Sequence, residues 1–427
     1  MFGDNRSGDY HIRQPETFRA ILAAIKARGP RLIIGTGDQI QGYQYNEALL
    51  RREWKAYFEA LAMVKPVPVH QVVGNHDLFD ETSGRVWDDV MGPKRRYYAV
   101  EVERSAFLFL DTETLVDRVA GAQLKWLNAE LEKYQGWDNR FVFLHKPVFR
   151  PYLNGKLQDW AQTLDYQYKA EWEALVKTLA GRVTAVFAGH YHLYDKDSRY
   201  GIQQYITGGG GSEMGLHDPA KEFYHFLSVS VDGKKVDVEL IRPDLSNVRE
   251  PIQQTTAPAV LEDFESDDAP TAWSSWNERV RIQAQNPPEG GKGRALALRY
   301  EFSDYQWPSL YLGLEPVQKW IAAKAVSFDA YVPPGTQPGE IALRVGARQK
   351  GYTSPDGPLN SGWNHLTFPF SRRTWTWAEG KGSEERKQER VVLDLRRIEA
   401  VSVVSVTLSG HERKESGTVW YDNFRIE

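Results

Sequence analysis

The sequence predicts an α/β domain followed by an all-β sandwich, and three observations support this. Over about the first 245 residues, segments with helical apolar spacing alternate with short apolar runs. Beyond residue 260, short runs alternate between apolar and polar residues, and no long amphipathic helix is evident. At 427 residues, the chain exceeds what one hydrophobic core usually supports. We therefore expect an α/β domain at 1–246, a linker at 247–259 and a β-sandwich at 260–427.

The first domain repeats a pairing of one helix with one strand. In ETFRAILAAIKARG, the apolar residues fall at helical spacing, and RLIIGTGD follows as a buried strand that ends in a glycine turn. The pairing recurs as NEALLRREWKAYFEALAMV with PVHQVVGNHD, AGAQLKWLNAELEKY with RFVFLHKPVF, and YKAEWEALVKTLAG with RVTAVFAGHYH. RRYYAVEVERSAFLFLDTET and YHFLSVSVDGKKVDVELI predict further strands of a mixed sheet, the second with a hairpin turn at DG. Such a pattern is typical of an α/β domain whose helices cover its sheets.

The chemistry of the chain changes at NVREPIQQTTAPA, residues 247–259. This segment is polar, contains proline and threonine, and lacks apolar periodicity, which predicts a linker. Turn signals such as PPEGGKG and PPGTQPGE then separate the short runs ALALRYEF, AVSFDAYV, EIALRV, HLTFPF, VSVVSVTLSG and TVWYDNFRI. Their alternation predicts an all-β sandwich.

Composition excludes some classes of protein and disfavours others. A formal net charge of -4 argues against a nucleic-acid polymer as the main partner. No apolar run approaches the roughly 18 residues of a membrane span. The chain has no cysteine, so disulfides and thiolate metal ligands are excluded. The chain reaches a Gly-Asp turn after only MF, and we expect a trimmed N-terminus and a secreted or periplasmic protein.

Polar residues that can bind metal follow the predicted strands of the first domain. The candidate ligands are Asp4, Asp38, Asn75, His145, His190 and His192. His190 and His192 share a face if the backbone is extended, because residues i and i+2 project to the same side. In open α/β sheets, ligands collect beyond the carboxyl ends of strands, so we expect these side chains to meet. Two carboxylates, an amide oxygen and three imidazoles suit two borderline divalent or trivalent metals rather than calcium.

The motifs FGDNR, GTGDQ, VGNHD, FLHKP and FAGHYH resemble those of the calcineurin-like metallophosphoesterases over roughly residues 1–245. The resemblance implies a four-layer α/β/β/α sandwich with two Mn, Fe or Zn ions, and hydrolysis of a phosphomonoester or phosphodiester by a hydroxide that bridges the metals. By motif position, Asp4 and His192 would bind the first metal, Asp38 would bridge, and Asn75, His145 and His190 would bind the second. His76 would lie near the phosphate and donate a hydrogen bond or a proton to the leaving oxygen.

Two residues depart from the family pattern. Arg6 stands where many members have a metal-binding histidine, and a guanidinium group cannot bind a cation. Arg6 or Asn5 can instead hold a phosphate oxygen; the alternative is a surface arginine in a loop. Gln41 stands where purple acid phosphatases have a metal-binding tyrosine and protein phosphatases an aspartate, so both subgroups are disfavoured. We therefore expect weak or water-rich coordination of the first metal.

The second domain resembles the β-sandwich carbohydrate-binding modules and galactose-binding-like domains. LEDFE at 261–265, GWNHLTFPF at 362–370 and VWYDNFRI at 419–426 carry this resemblance. It implies a glycan or polysaccharide partner and a structural calcium on Asp263, Glu265 and Asp422, although such acidic residues are usually just solvated. Candidates for stacking on a sugar are Trp273, Trp276, Trp307, Trp320, Trp363, Trp375 and Trp377, unless they fill the core.

Two functions of different class remain open. The first is a two-metal phosphoester hydrolase tethered to a β-sandwich that docks it to a glycan. The second is an inert phosphoesterase fold that serves as a glycan-binding or scaffold protein. The ligand set favours the hydrolase, because six polar groups crowded together without metal would repel one another or stay unsatisfied.

Overall fold

The computed structural model describes residues 1–8, 11–43, 47–157, 163–165, 168–214, 218–266, 272–274, 281–288, 290–301, 309–336, 340–347, 350–354, 357–371, 374–379, 387–398, 400–409 and 416–427. The chain divides into two compact units. The first unit consists of Met1–Gly8, Ile12–Tyr43 and Leu50–Arg249, and the second is formed mainly by Glu250–Glu427.

The first unit alternates helices and strands, as its sequence predicts. Its helices are α1 (Glu16–Ala27), α2 (Glu47–Leu61), α3 (Glu81–Met91), α4 (Gly121–Lys133) and α5 (Lys169–Leu179). Its strands are β1 (Ile33–Gly35), β2 (Val69–Gln71), β3 (Tyr98–Val102), β4 (Ser105–Phe109), β5 (Asn139–Phe143), β6 (Tyr152–Leu153), β7 (Lys156–Leu157), β8 (Ala185–Ala188), β9 (Tyr194–Arg199), β10 (Ile202–Thr207), β11 (Phe226–Asp232) and β12 (Lys235–Ile241).

Two sheets organise the first unit. The larger sheet has the order β3-β4-β5-β8-β10-β9. Its central strands β4, β5, β8 and β10 are parallel, and β3 and β9 pair antiparallel at its edges. Two two-stranded sheets, the parallel pair of β1 and β2 and the hairpin of β11 and β12, form a second layer that we call the smaller sheet. The start of the chain joins these two parts, because Phe2 bridges to Gly35 and Leu227 N–H donates to Met1 O at 2.9 Å.

Hydrophobic packing arranges the first unit in four layers. Phe109, Phe143 and Phe187 of the larger sheet pack together with Ile34 and Val72 beside the smaller one, which places the two sheets face to face. Helices α1, α2 and α3 cover the smaller sheet through a core that includes Phe18, Trp54 and Trp87. Helices α4 and α5 cover the larger sheet through a core that includes Leu127, Leu175 and Val186. The predicted α/β/β/α sandwich is confirmed.

The second unit contains strands throughout its described part. They are β13 (Ile252–Thr256), β14 (Ala259–Glu262), β15 (Ala272–Ser274), β16 (Arg281–Gln285), β17 (Ala295–Glu301), β18 (Ser309–Ile321), β19 (Ala325–Val332), β20 (Glu340–Ala347), β21 (Lys350–Thr353), β22 (Gly357–Pro358), β23 (Gly362–Pro369), β24 (Trp375–Glu379), β25 (Lys387–Val391), β26 (Val401–Ser409) and β27 (Ser416–Ile426).

These strands form two sheets around one core. The wider sheet follows the order β13-β18-β26-β20-β21-β24-β25, and the narrower sheet follows β16-β17-β27-β19-β23. Alternate residues of both sheets, such as Leu298, Phe328, Leu343 and Val404, share the core between them. The predicted all-β sandwich is confirmed.

The segment predicted as a linker contains regular structure. Ile252–Thr256 pairs in parallel with β18, and β14, which begins at Ala259, pairs with β27. Ile252–Thr256 therefore belongs to the sheet of β18, and the linker bounds of 247–259 stay a prediction. Gln253 and Gln254 lie in this strand and are exposed, so the sequence shows no alternation of apolar residues here. Backbone pairing with β18 holds the strand in place. In the described residues of either unit, no helix is long and apolar enough to cross a lipid bilayer.

Candidate metal centre

The turns after β1, β2, β5 and β8 bring the predicted ligands to one edge of the first unit. Asp38, Asn75, His145 and His190 lie just beyond the carboxyl ends of these strands. Asp4 lies alongside, because its N–H donates to Gly37 O at 3.0 Å. Asp4, Asp38 and His190 all have positive φ, at 56°, 57° and 71°. This backbone conformation is uncommon for residues other than glycine and clusters at functional sites.

Asp38, Asn75, His145 and His190 form one compact group, which we call the four-donor position. His145 Nε2 lies 3.0 Å from Asn75 Oδ1 and 3.2 Å from Asp38 Oδ1. His190 Nδ1 lies 2.9 Å from Asn75 Oδ1 and 3.2 Å from His145 Nε2. Neighbouring ligand atoms of this group are therefore 2.9–3.2 Å apart, about the separation of two atoms that bind the same cation.

Neighbouring groups aim lone pairs into the four-donor position. His145 Nδ1 lies 2.9 Å from Thr36 O, which can only accept, so the proton is on Nδ1 and Nε2 carries a lone pair. Asn75 Nδ2 donates to Tyr43 Oη at 3.0 Å, which turns Asn75 Oδ1 toward the centre. His190 Nδ1 faces the lone pairs of Asn75 Oδ1 and His145 Nε2, so either a proton on Nδ1 or a shared cation must lie between these atoms. The donor set therefore fits a metal ion, and the carbonyl behind His145 is the usual support of a metal-binding histidine.

Asp4 and His192 form a second, looser group beside the first, which we call the Asp4–His192 position. His192 Nε2 lies 3.7 Å from Asp4 Oδ1, and His192 Nδ1 lies 2.6 Å from Glu213 O, which again leaves a lone pair on Nε2. Both oxygens of Asp4 also accept from His190 N–H, at 3.0 and 2.9 Å. Within the described ranges, Asp4, Asp38 and His145 are the group of three acidic or histidine side chains whose ligand atoms lie within 4.8 Å of one another.

Buried charge dominates the electrostatics of the centre. Burial and then the charge of Asp38 raise the pKa of Asp4 well above its usual value. Burial also raises the pKa of Asp38, but electrostatic interactions with His145, His76 and Arg6 outweigh it and lower that pKa below its usual range. Burial and then electrostatic interactions with His145 and Lys146 lower the pKa of His190 well below its usual value, so its ring is neutral, as a metal ligand must be. Cations would compensate the two adjacent carboxylates.

His76 lies at the centre but in a form that differs from the expected donor. His76 Nδ1 lies 2.5 Å from Gln41 O, so Nδ1 carries the proton, and Nε2 faces Asp38 Oδ2 at 3.9 Å. Burial and then the charge of Arg6 lower the pKa of His76 to about 3, which keeps the ring neutral. In this form Nε2 accepts a hydrogen bond. Donation of a proton requires the cationic ring, which a phosphate anion beside it would favour.

The structure separates the roles of Arg6 and Asn5. The Arg6 side chain is buried and donates to Gln41 Oε1. It is therefore not the surface arginine that was the alternative. Asn5 Nδ2 donates to Gln14 Oε1 at 3.1 Å and to Gln39 O at 3.3 Å. The prediction that Asn5 holds phosphate is corrected, because its donor group already joins two loops of the protein.

Asp77 has a structural role that motif analysis did not assign. It follows His76 in VGNHD and is fully buried. Its Oδ1 accepts from the N–H groups of Gln39 and Ile40, at 2.9 and 3.2 Å, and its Oδ2 accepts from those of Asp38 and Gly74, at 2.9 and 2.8 Å. Asp77 therefore fixes the loop of Asp38 to the loop of Asn75. The signal available from the sequence was the acidic residue Asp77 directly after His76 in the motif VGNHD.

A cleft of about 590 Å³ opens beside Asn75 and Tyr43. One wall contains Phe79, whose ring lies 4.9 Å from that of Tyr43. Another contains Lys146, whose Nζ lies 2.6 Å from both Glu113 Oε2 and Asp117 Oδ1. The cleft thus joins an aromatic surface to charged groups directly beside the four-donor position.

The family follows from the matched motifs and the site that they form. Residues 7–194 match the family model of the calcineurin-like phosphoesterases. The first unit is a calcineurin-like phosphoesterase domain. The family and the buried Asp4, Asp38 and His145 group together support a metal-dependent phosphoesterase. No protein with a curated description matches the sequence.

Solved structures are similar to the phosphoesterase domain or to the second unit. A dimetal phosphatase from Danio rerio is 16% identical and covers 57% of this chain and 98% of its own, with a TM-score of 0.38. GAP50, the anchor in the inner membrane complex of Plasmodium, is 14% identical and covers 58% of this chain and 84% of its own, with a TM-score of 0.42. A family 11 carbohydrate-binding module from Clostridium thermocellum, in complex with a β-1,3-1,4-mixed-linked tetrasaccharide, is 17% identical. It covers 39% of this chain and 93% of its own, with a TM-score of 0.29.

Outside the phosphoesterase domain, the acidic residues predicted to bind calcium lie near one another. Burial and then the charges of Asp329, Glu265 and Asp263 raise the pKa of Asp422 to about 6. The carboxylate of Glu265 accepts from Arg294 N–H at 2.9 Å. In the described part of the chain, these carboxylates do not form a group of three within 4.8 Å, and the calcium site stays a prediction.

The tryptophans of the second unit divide between core and surface. Trp320, Trp375 and Trp377 are buried in the core, which corrects their assignment as sugar-stacking candidates. Trp363 lies half-buried on the opposite face of the narrower sheet. Trp276, Trp307 and the side chain of Trp273 lie outside the described residues.

Proposed function

We propose that the phosphoesterase domain hydrolyses phosphoesters, with Asp38 shared between the four-donor position and the Asp4–His192 position. The observation that carries this proposal is the convergence of oxygen and nitrogen ligand atoms of Asp38, Asn75, His145 and His190, with neighbouring atoms 2.9–3.2 Å apart. A scaffold protein without metal would pay a desolvation cost for burying these groups with no compensating partner.

Cations bound there would lower the pKa of water and offset the negative charge of the phosphate, so the reaction is hydrolysis. The chain's own residues position these parts. Tyr43 orients Asn75, Thr36 orients His145, and Asp77 fixes both ligand loops. His76 Nε2 lies beside Asp38, where it can exchange a hydrogen bond with the leaving oxygen. The cleft beside Asn75 has room for the leaving group.

Removal of the metal tests the proposal. The full chain is treated with a chelator, dialysed and assayed with p-nitrophenyl phosphate and bis(p-nitrophenyl) phosphate. We expect activity to fall on the order of a thousandfold and to return with manganese, iron or zinc, because a cation contributes several kcal/mol at the transition state. The ratio of the two activities distinguishes a monoesterase from a diesterase. If the reconstituted protein binds no metal and hydrolyses neither substrate, the alternative of an inert fold that serves as a scaffold is favoured.

We propose a second function for the β-sandwich, the binding of a glycan on the outer face of the narrower sheet. Tyr331, Trp363 and Trp420 stand side by side there, with ring centroids 5.3 Å apart for Tyr331 and Trp363 and 5.9 Å for Tyr331 and Trp420. All three are half-buried. Beside them, the Asp329 carboxylate lies 2.7 Å from His365 Nδ1. Aromatic faces for the sugar ring and polar groups for its hydroxyls suit a polysaccharide.

Replacement of the aromatic residues tests the glycan site. The double variant Tyr331→Ala with Trp363→Ala is compared with Tyr311→Ala, which removes an aromatic residue from the outer face of the wider sheet. Affinity electrophoresis in mixed-linkage β-glucan, xylan or agarose reports binding. We expect the double variant to weaken binding about tenfold or more, since each aromatic contact contributes about 1 kcal/mol. Equal effects of the two substitutions, with all variants folded, would contradict the location of the site.

A further inference from the structure

Arg6 places a positive charge inside the metal centre. Its side chain is only 8% exposed, and its main-chain N–H donates to Asp38 O at 3.0 Å. The guanidinium group donates to Gln41 Oε1. Burial raises the pKa of both Asp4 and Asp38, and the charge of Arg6 acts on both in the opposite direction. In the described part of the chain, Arg6 Nε is buried without a hydrogen-bond partner.

The two candidate cation positions differ in the ligands that they offer, even before the charge of Arg6 is considered. At the four-donor position, the separations between ligand atoms given above are 2.9–3.2 Å. The Asp4–His192 position has two ligands of its own besides the shared Asp38, their ligand atoms are 3.7 Å apart, and both oxygens of Asp4 already accept from His190 N–H. Arg6 is buried and follows Asp4 by two residues, and its guanidinium group cannot donate a lone pair to a cation and repels one nearby.

We propose that Arg6 supplies the positive charge at the Asp4–His192 position, so that the centre binds one cation tightly at the four-donor position and a second only weakly. This inference depends on the proposed phosphoesterase function. A phosphate that binds the tight cation then has Arg6 on its other side, and Nε with the remaining N–H groups can donate to its oxygens. Arginine suits this task because its planar fork matches two phosphate oxygens.

Cation stoichiometry in the full chain tests the inference. After chelation and dialysis, zinc and manganese are titrated calorimetrically, and metal content is measured by mass spectrometry. Wild-type protein should bind one equivalent tightly and a second about a hundredfold more weakly or worse, the range over which changes near a site alter metal affinity. Arg6→Gln removes the repulsion and should tighten the second equivalent, and Arg6→His should tighten it further by adding a ligand. Inorganic phosphate, titrated in the presence of one equivalent of metal, should bind more weakly to both variants than to wild type.

The control is Arg28→His, which introduces a histidine in place of an exposed arginine that pairs with Glu239 at 2.8 Å. It should leave both equivalents unchanged. Two equivalents of similar affinity in the wild type would overturn the inference, as would tightening by Arg6→His alone, because charge would then not be the cause. A chain that binds no cation at all would instead overturn the phosphoesterase function on which the inference depends.

Discussion

Replacement of Asp38 by Asn is expected to lower kcat by about a thousandfold or more while the protein stays folded, because the metal centre loses its shared charge. The two side chains have nearly the same shape. An asparagine oxygen can still accept from His76 N–H, as Asp38 Oδ1 does at 3.0 Å. What it lacks is the second anionic oxygen and the charge that offsets two adjacent cations. The loss should therefore appear in metal binding and turnover rather than in folding.

Thermal unfolding separates these two effects. A ligand that binds only the folded state raises stability in proportion to the logarithm of its concentration, so wild-type protein should show a higher Tm as zinc or manganese is added. Asp38→Asn should show a smaller rise or none. Asp89→Asn is the matched control, because Asp89 forms an exposed ion pair with Arg51. Activity at the wild-type level in Asp38→Asn would remove Asp38 from the metal centre.

Four of the six candidate ligands, Asp4, Asp38, Asn75 and His190, combine a chemical signal with a conformational one, because a glycine precedes each of them. Gly74 precedes Asn75, and a Cβ there would lie 2.3 Å from the main-chain nitrogen of Asp38. Gly37 has a φ of +102° and packs against the His145 ring. Only glycine permits such approaches, so a glycine before a polar residue at a strand end indicates both a tight turn and a ligand. The ligands then converge because the carboxyl ends of parallel strands lie at the same edge of a sheet.

Other features depend on tertiary contacts that leave little local signal. Asn5 and Arg6 are adjacent polar residues in one loop, and tertiary contacts decide that Asn5 donates to Gln14 whereas Arg6 donates to Gln41. Trp375 and Trp363 occupy strands of similar pattern, yet one fills the core and the other faces outward. In a sandwich, pairing with neighbouring strands decides which face of a strand turns inward. The alternation of side chains along the strand is the same in both cases, because a shift of one residue exchanges the two faces.

Removal of the Asp77 carboxylate by Asp77→Ala should destabilise the phosphoesterase domain by about 2 to 4 kcal/mol, since four backbone N–H groups lose their acceptor at about 1 kcal/mol or more each. Part of that loss is offset. Burial and then the charge of Asp38 raise the pKa of Asp77 well above its usual value, so the substitution also removes an unfavourable charge. The loops of Asp38 and Asn75 would separate, and metal affinity should fall together with stability.

Asp80→Ala is the matched control for this prediction. Asp80 lies three residues away and caps α3, where its Oδ1 accepts from Ser83 N–H at 2.7 Å. Loss of this cap should cost only about 1 kcal/mol and leave metal binding unchanged. Hydrogen exchange followed by mass spectrometry distinguishes the two. In Asp77→Ala, exchange should accelerate in peptides that contain the amides of Asp38, Gln39, Ile40 and Gly74, whereas Asp80→Ala should affect only the start of α3. Unchanged protection of the loop amides in Asp77→Ala would show that other contacts hold the metal centre together, and the four hydrogen bonds of Asp77 would then be a consequence of the loop geometry rather than its cause.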